Sequence, residues 1–327
     1  YYWLQDMYQS GRAAAYENQS TGISNFQFER FLDAEAIVLP DLGTQQHVVE
    51  MLASIDDRID NLRQTNATLE AIAQSLFNSW FMDFDPVRAK ADGRQPEDMD
   101  AATAALFPSE FEDSELGPTP KGWQIDEIGK LVDCLGGATP STKNDAFWNG
   151  GVHHWATPKD LSGLGSPVLM DTGRKLTDAG IAKISSGLLP AGTLLMSSRA
   201  PIGYLAIAAM PVAVNQGFIA MPPGGQLSPT FLLFWCQANM ELIEQSANGS
   251  TFMEISKKAF RPLPVRVPPP ELLEAFECIV GALIARIMEN ERHRLCLEEA
   301  RDTLLPRLIS GQLRLPEIEG VVDDVSA

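Results

Sequence analysis

The stretch Gly136-Gly137-Ala138-Thr139-Pro140-Ser141-Thr142-Lys143 is the first place where residue types and spacing suggest chemistry. A glycine-rich loop closed by a lysine can cradle a phosphate. This one lacks the Gly-Lys-Ser/Thr ending that sets a lysine on the phosphates and a hydroxyl on magnesium. Pro158-Lys159-Asp160 lacks a second carboxylate and lysine at nuclease spacing, and Pro268-Pro269-Pro270 has the wrong flanks for the Asn/Asp-Pro-Pro-aromatic phrase of an adenine methyltransferase. His153 and His154 are adjacent in a polar loop, a spacing that does not bring two imidazoles to one metal from one helix face, and His47 and His293 fall in helical runs facing solvent. The cysteines Cys134, Cys236, Cys278 and Cys296 form no CxxC pair and read as free thiols of a reducing compartment. The sequence therefore presents no catalytic residue, no metal ligand set and no cofactor site.

Hydrogen-bonding chemistry is better represented. Base edges of nucleic acids are read mainly by Arg, Lys, Asn and Gln, with Ser and Thr adding bonds to bases or phosphates. Arg199 follows Ser197-Ser198 on a tight Ala200-Pro201-Ile202-Gly203 turn, and Asn215-Gln216 precede Gly217. Each has a structural alternative: an arginine bonding backbone carbonyls, and a turn-forming amide pair. Ser141, Lys143 and Asn144 lie in one candidate loop and Lys159 ends another, from His153, while Lys257 and Lys258 are candidates for phosphate or are ordinary solvated lysines. Ser250-Thr251 repeats Ser20-Thr21 and reads as a shared structural cap.

The charge balance first argues against such a partner, because the 327 residues carry a net charge of −18. The distribution of that charge removes the objection. Between Lys121 and Arg266 there are 12 basic against 10 acidic residues, while the rest of the chain holds 13 against 33. The acid belongs to helices, tails and a linker, and a near-neutral central unit can bind DNA through a local basic face. A hydrophobic share of 45% and a charged share of 21% are those of a soluble globular protein, and no apolar stretch is long enough to span a bilayer.

The elements that must position these residues are announced by a repeat. Ile37-Val38-Leu39-Pro40 and the run Val48 to Phe81 return as Val265-Arg266-Val267-Pro268 and Phe276 to Ile309, with Pro40, Ile59, Leu69-Glu70 and Leu76 each recurring 228 residues later. So long a period points to a duplicated module rather than a solenoid. In the first copy, Val48, Leu52, Ile55, Ile59, Leu62, Leu69, Ala73, Leu76 and Trp80 recur in steps of three and four, with Asn66 in the seam. In the second, Phe276, Val280, Leu283, Ile287, Leu297 and Leu304 do so, interrupted by Asn290, Arg294 and Arg301. Two matched heptad stripes predict an antiparallel coiled coil, with polar seam residues fixing its register. Pro306 is expected to disturb the last turn and Gly311 to end it.

This gives a domain plan of 1–42, a first long helix over 43–82, an acidic proline-broken linker over 83–115, a globular unit over 116–270, a second long helix over 271–310, and a tail over 311–327. The linker, with ten acids against three bases, reads as a surface segment without a core. The globular unit mixes strands near Thr193–Met196, Tyr204–Ala208 and Gly217–Ala220 with one helix over Phe231–Ser246 that buries Phe231, Phe234, Trp235, Ala238 and Leu242. The fold class is a mixed α/β unit with a curved sheet, plus the helix pair.

Taken in order, Gly136 to Ser141, Phe147-Trp148-Asn149-Gly150-Gly151, Trp155 to Leu161, Ser197 to Gly203, Asn215 to Phe218 and Ala247 to Phe252, closed by a long helix, resemble the target-recognition domain of specificity subunits of type I restriction–modification systems. The resemblance covers nearly the whole chain. It implies that 1–42 is the end of a first recognition domain whose front is missing, that 116–270 is a second, complete one, and that the helices set the distance between two halves of a split DNA target. It also implies docking of methyltransferase subunits, and of a restriction subunit where one is present, on helices carrying Leu52, Ile55, Ile59, Leu62, Leu69, Leu76, Val280, Leu283, Ile287, Leu297 and Leu304. Methylation of a flipped adenine with S-adenosylmethionine would then belong to those partners. The expected protein is a cytoplasmic, non-catalytic subunit that addresses double-stranded DNA. Phrases shared by members with different targets are poor candidates for base choice, which favours the loops around Ser141–Asn144 and His153–Lys159. Two alternatives stand beside this reading: a docking subunit without DNA recognition of its own, and a half-subunit that forms a homodimer to read an inverted repeat.

Overall fold

The computed structural model describes residues 1–20, 23–35, 40–97, 99–249 and 253–313. The expected Ser-Thr caps fall on Thr21, Ser250 and Thr251, and with the repeated segment at 37–39 they lie outside the described residues. Contacts divide the chain into two compact units, Tyr1–Gln64 with the chain from Arg292, and Thr65–Glu291.

The first long helix runs from Leu42 to Phe77 and continues as a π-helical turn, Asn78–Met82; the second runs from Pro270 to Ile309. Both fall within a residue or so of the expected spans. Asp41 starts the first by accepting from Thr44 N–H (3.1 Å) and Thr44 Oγ (2.7 Å), and these bonds hold its carboxyl below the usual carboxylate range. Pro306 stays inside the second helix rather than ending it. Its fixed φ suits a helix, and so close to the end only one backbone bond is lost. Gly311, at φ +70°, takes the left-handed position that follows.

In the first unit the helix segments pair antiparallel. Leu52, Leu305 and Leu308 bury one another, and Asp56 accepts from Arg301 Nη1 (2.8 Å) and from Tyr2 Oη (2.9 Å). Before them, the antiparallel strands β1 (Glu17–Ser20) and β2 (Ile23–Phe26) lie between short helices at Tyr2–Gln9 and Phe28–Ala34. Met7, Tyr16 and Phe31 form a small core.

In the second unit the seam continues with Asn66 facing Asn290 and Glu291. Asn66 Nδ2 donates to Glu291 Oε1 (2.7 Å), and Asn290 Nδ2 donates to Asn66 Oδ1 (2.8 Å), all buried. Toward the helix ends, Ala73, Phe77, Trp80, Val280, Ile284 and Ile287 are buried. Leu283 and Leu304 are only half-buried, while their neighbours Ile284 and Leu305 fill the seam. A straight helix of 3.6 residues per turn drifts against a strict seven-residue repeat, so the buried position moves on by one.

Two expectations change. The 83–115 segment is not a coreless linker: Phe84, Val87, Ala104 and Phe107 are buried, and helices form at Asp85–Ala91 and Ala101–Ala105. Lys90 Nζ donates to the Ala104 (3.0 Å) and Phe107 carbonyls, capping the end of the second of these. The predicted helix over 231–246 is two, Pro229–Ala238 and Met240–Gln245, broken at Asn239. The first buries Thr230 to Cys236 but exposes Ala238, which was expected in the core, and Leu242 on the second is 37% exposed rather than core.

Among the described residues, eleven further strands belong to the second unit. They are β3 (Phe111–Glu112), β4 (Thr119–Pro120), β5 (Gln124–Glu127), β6 (His153–Ala156), β7 (Val168–Leu169), β8 (Arg174–Leu176), β9 (Leu194–Ser198), β10 (Ile202–Ala208), β11 (Val212–Val214), β12 (Phe218–Met221) and β13 (Pro264–Val267). A four-stranded sheet runs β12-β9-β10-β7, a three-stranded one β11-β6-β8, and β13 pairs with β5. The expected strands match β9, β10 and β12. The core joins Phe77, Phe81, Phe231, Phe234 and Phe276, whose rings stack edge-on or tilted at 5.0–6.2 Å. The compact unit is thus broader than 116–270, because the inner ends of both long helices and the 83–115 segment share its core.

Candidate nucleic-acid interface

Strand pairing gathers the candidate residues at one edge of the second unit. β6 and β11 run parallel, so Thr157-Pro158-Lys159 and Asn215-Gln216-Gly217 leave their sheet side by side; a Cβ on Gly217 would meet Pro158 at 3.0 Å. β9 is antiparallel to β12, which brings the end of β9 to the same edge: Ser198 N–H donates to the Gly217 carbonyl (2.8 Å). The Gly136-Gly137 loop closes the group. Ala138 N–H donates to the Val214 carbonyl (3.0 Å), and a Cβ on Gly137 would sit 1.6 Å from that same oxygen. Gly137 is therefore there for backbone approach.

Within this edge the candidates part company. Ser198 is 3% exposed and acts through its backbone, accepting from Ile255 N–H (3.0 Å). Asn215 turns back on its own chain, Oδ1 accepting from Gly217 N–H at 2.8 Å. Gln216 is exposed and accepts from Thr139 Oγ (2.7 Å), which leaves its amide group available. Arg199 sits 38% exposed in a cleft with Pro201, Glu244 and Met253, and its Nη1 lies 3.7 Å from Glu254 Oε2. Lys159 is exposed, while its neighbour Asp160 is occupied structurally by Thr157 N–H, Thr157 Oγ and Gly173 N–H (2.7–2.8 Å). Lys257 is exposed and its ammonium rests against Gly136; Lys258 is exposed beside it.

Ser141, Lys143 and Asn144 are exposed on the loop beyond Thr139. Asn144 Oδ1 accepts from Ala146 N–H (3.2 Å) and caps the turn at Asp145–Phe147, and the Ser141 carbonyl accepts from Trp148 Nε1 (3.0 Å). His153 and His154 are on β6 rather than in a loop, each beside its own carboxylate: Asp178 at 2.7 Å and Asp171 at 3.0 Å. Among the described residues no cluster of His, Cys, Asp and Glu is arranged to hold a metal. Cys134 and Cys236 are buried, and burial pushes both thiols up, Cys134 to about 11, so neither is a nucleophile. Among the described residues no helix is long and apolar enough to cross a membrane.

One exposed cation escapes a reading by sequence. Arg174, the first residue of β8, pairs with Trp155 of β6 and stacks its guanidinium 3.5 Å from the ring centre of Trp148. The β6–β8 register joins these residues, which sequence spacing does not connect.

Residues 120–295, more than half of the chain and all of this edge, match the family model of the type I restriction modification DNA specificity domain. The chain belongs to that family. It is 28% identical over 316 residues to the type I restriction enzyme HindI specificity subunit of Haemophilus influenzae, covering 84% of this chain and 68% of the relative. It is 35% identical over 193 residues to the MjaIX specificity subunit of Methanocaldococcus jannaschii, covering 58% of this chain and 44% of that one. The S subunit of a type I system from M. genitalium shares the fold, with a TM-score of 0.54 and 17% identity over 94% of this chain and 71% of its own. The specificity family accounts for the mixed fold with paired long helices and for a site rich in hydrogen-bonding groups.

Proposed function

We propose that this chain addresses a type I restriction–modification enzyme to DNA. The unit expected over 116–270 reads one half of a split target through the edge that carries Lys159, Gln216, Lys257 and the Ser141–Asn144 loop. The paired long helices dock methyltransferase subunits, with a restriction subunit joining where one is encoded, in the cytoplasm. The observation that carries this reading is that the family match spans the same residues whose strand ends converge on one edge with exposed polar and basic side chains. Base recognition needs several polar side chains fixed on rigid elements, and this edge supplies them.

Methylome sequencing of cells expressing the chain with its neighbouring methyltransferase tests the proposal. The expected result is a chain-dependent N6-methyladenine motif in two separated parts. Two identical inverted halves would instead assign the role to a dimer of this chain. A stable complex with the methyltransferase that writes no new motif would reduce the chain to a docking subunit.

A further inference from the structure

We infer that Arg174 is a base-reading side chain of this edge and that Trp148 and Trp155 hold it in position; this rests on the DNA-specificity reading above. Its place is fixed from two sides. The Trp155–Arg174 pairing sets it at the end of β6 that leads into Lys159, and Gly173 N–H donates to Asp160 Oδ1 (2.8 Å), locking the preceding turn to the same loop.

Its orientation is fixed by aromatic faces. The guanidinium lies 3.5 Å from the centre of Trp148 and 5.6 Å from that of Trp155, and the two indoles meet edge to face at 5.0 Å. Both are anchored to the neighbouring loop, Trp148 Nε1 on the Ser141 carbonyl (3.0 Å) and Trp155 Nε1 on the Ala138 carbonyl (3.1 Å). A guanidinium stacked through its face keeps its N–H groups free to meet two acceptors at once.

Arg174 is exposed and has no carboxylate partner among the described residues, whereas Arg199 is paired with Glu254 and Lys175 with Asp171. A pre-oriented, unpaired fork at a site of DNA contact fits the O6 and N7 acceptors of guanine in the major groove. It commits the target to a G·C pair at one position. Holding the side chain in advance also lowers the ordering cost on binding.

The test uses the complex of this chain with its methyltransferase, on duplexes carrying the motif that the wild type writes and on duplexes with each base pair exchanged in turn. Arg174→Ala is expected to weaken target binding by about ten- to hundredfold and to lose discrimination at a single G·C position. Arg174→Lys should keep the fold and the charge but fail to restore that discrimination. Trp148→Phe, which keeps a ring face, should retain it, and Trp148→Ala should lose it. A motif unchanged in Arg174→Ala would overturn the inference. So would a uniform loss across all duplexes that lysine rescues, which is the behaviour of a phosphate contact, or a lowered melting temperature with discrimination intact, which is that of a structural stack. A wild-type complex that writes no motif at all would overturn the specificity reading itself, a result visible before any variant is made.

Discussion

Asn215 Oδ1 lies 2.8 Å from Gly217 N–H, while Gln216, one residue on, reaches across to Thr139 Oγ at 2.7 Å and stays exposed. Adjacent amides of like chemistry are thus divided into one that builds the turn and one presented on it. The sequence held both possibilities for both residues, and only the turn geometry separates them. Asn215→Ala should destabilise the second unit by about 1–2 kcal/mol, since it leaves a backbone N–H in a tight turn without its acceptor. Gln216→Ala should leave the melting temperature unchanged and weaken target binding by about 1–3 kcal/mol where the amide meets a base. Thermal melts and duplex titrations of the two variants check this, and equal stability loss in both would refute the division. Arg199 was legible as a candidate from its Pro/Gly turn. Glu254 was not legible as its partner, because nothing in sequence spacing links residues 55 apart; the register that joins β9 to the segment around Glu254 does. Arg174 is hidden in the sequence for the same reason.

The long helices were readable because burial along a helix leaves a period of three and four, and a period survives in a single sequence. The helix broken at Asn239 and the 83–115 segment were not. The unbroken buried run Thr230–Cys236 leaves no polar face from which to read where the helix stops, and a few buried aromatics such as Phe84 and Phe107 vanish in a segment averaged as acidic. On the first long helix, Glu70 gives a pH signature. Burial raises its pKa, while its 3.3 Å hydrogen bond from Gln237 Nε2 works the other way and is outweighed. A carboxyl with a raised folded pKa contributes stability below its unfolded value, and that contribution is lost as pH rises through the folded value. Glu70→Gln should therefore remove part of the decline in stability that begins just above the ordinary glutamate range, and at pH 7 the variant should be at least as stable as wild type. Denaturation midpoints measured from pH 5 to pH 8 decide it, and a variant less stable than wild type at pH 7 would show the opposite sign. On the second helix, Ile287 is fully buried. Ile287→Glu should cost more than about 3 kcal/mol, since it places a carboxylate at a fully buried apolar position; a normal unfolding midpoint would contradict the seam.

For the molecule as a whole, charge is the constraint that the fold must work against. The chain carries −18, yet the stretch from Lys121 to Arg266 is nearly neutral, so on the proposed reading the cations of one edge supply the affinity for DNA against a long-range repulsion. Lys143, Lys159, Arg174, Lys257 and Lys258 are exposed, and the ion pairs of the described residues do not include them. Each phosphate neutralised contributes roughly −0.9 to the slope of log affinity against log salt. With Arg174 on a base edge, the four lysines limit the slope for the chain alone to about −3 to −4, a loss of about a hundredfold between 50 and 200 mM salt. The chain alone should consequently bind its target weakly at physiological salt. Adding the methyltransferase should tighten binding, and should steepen the slope by about 0.9 for each phosphate the partner neutralises. Titrations of one target duplex across salt, with and without the methyltransferase, measure both slopes. A slope steeper than about −6 for the chain alone would place phosphate contacts beyond this edge, whereas slopes equal with and without the partner would mean that the partner tightens binding by ordering the chain rather than by adding charge.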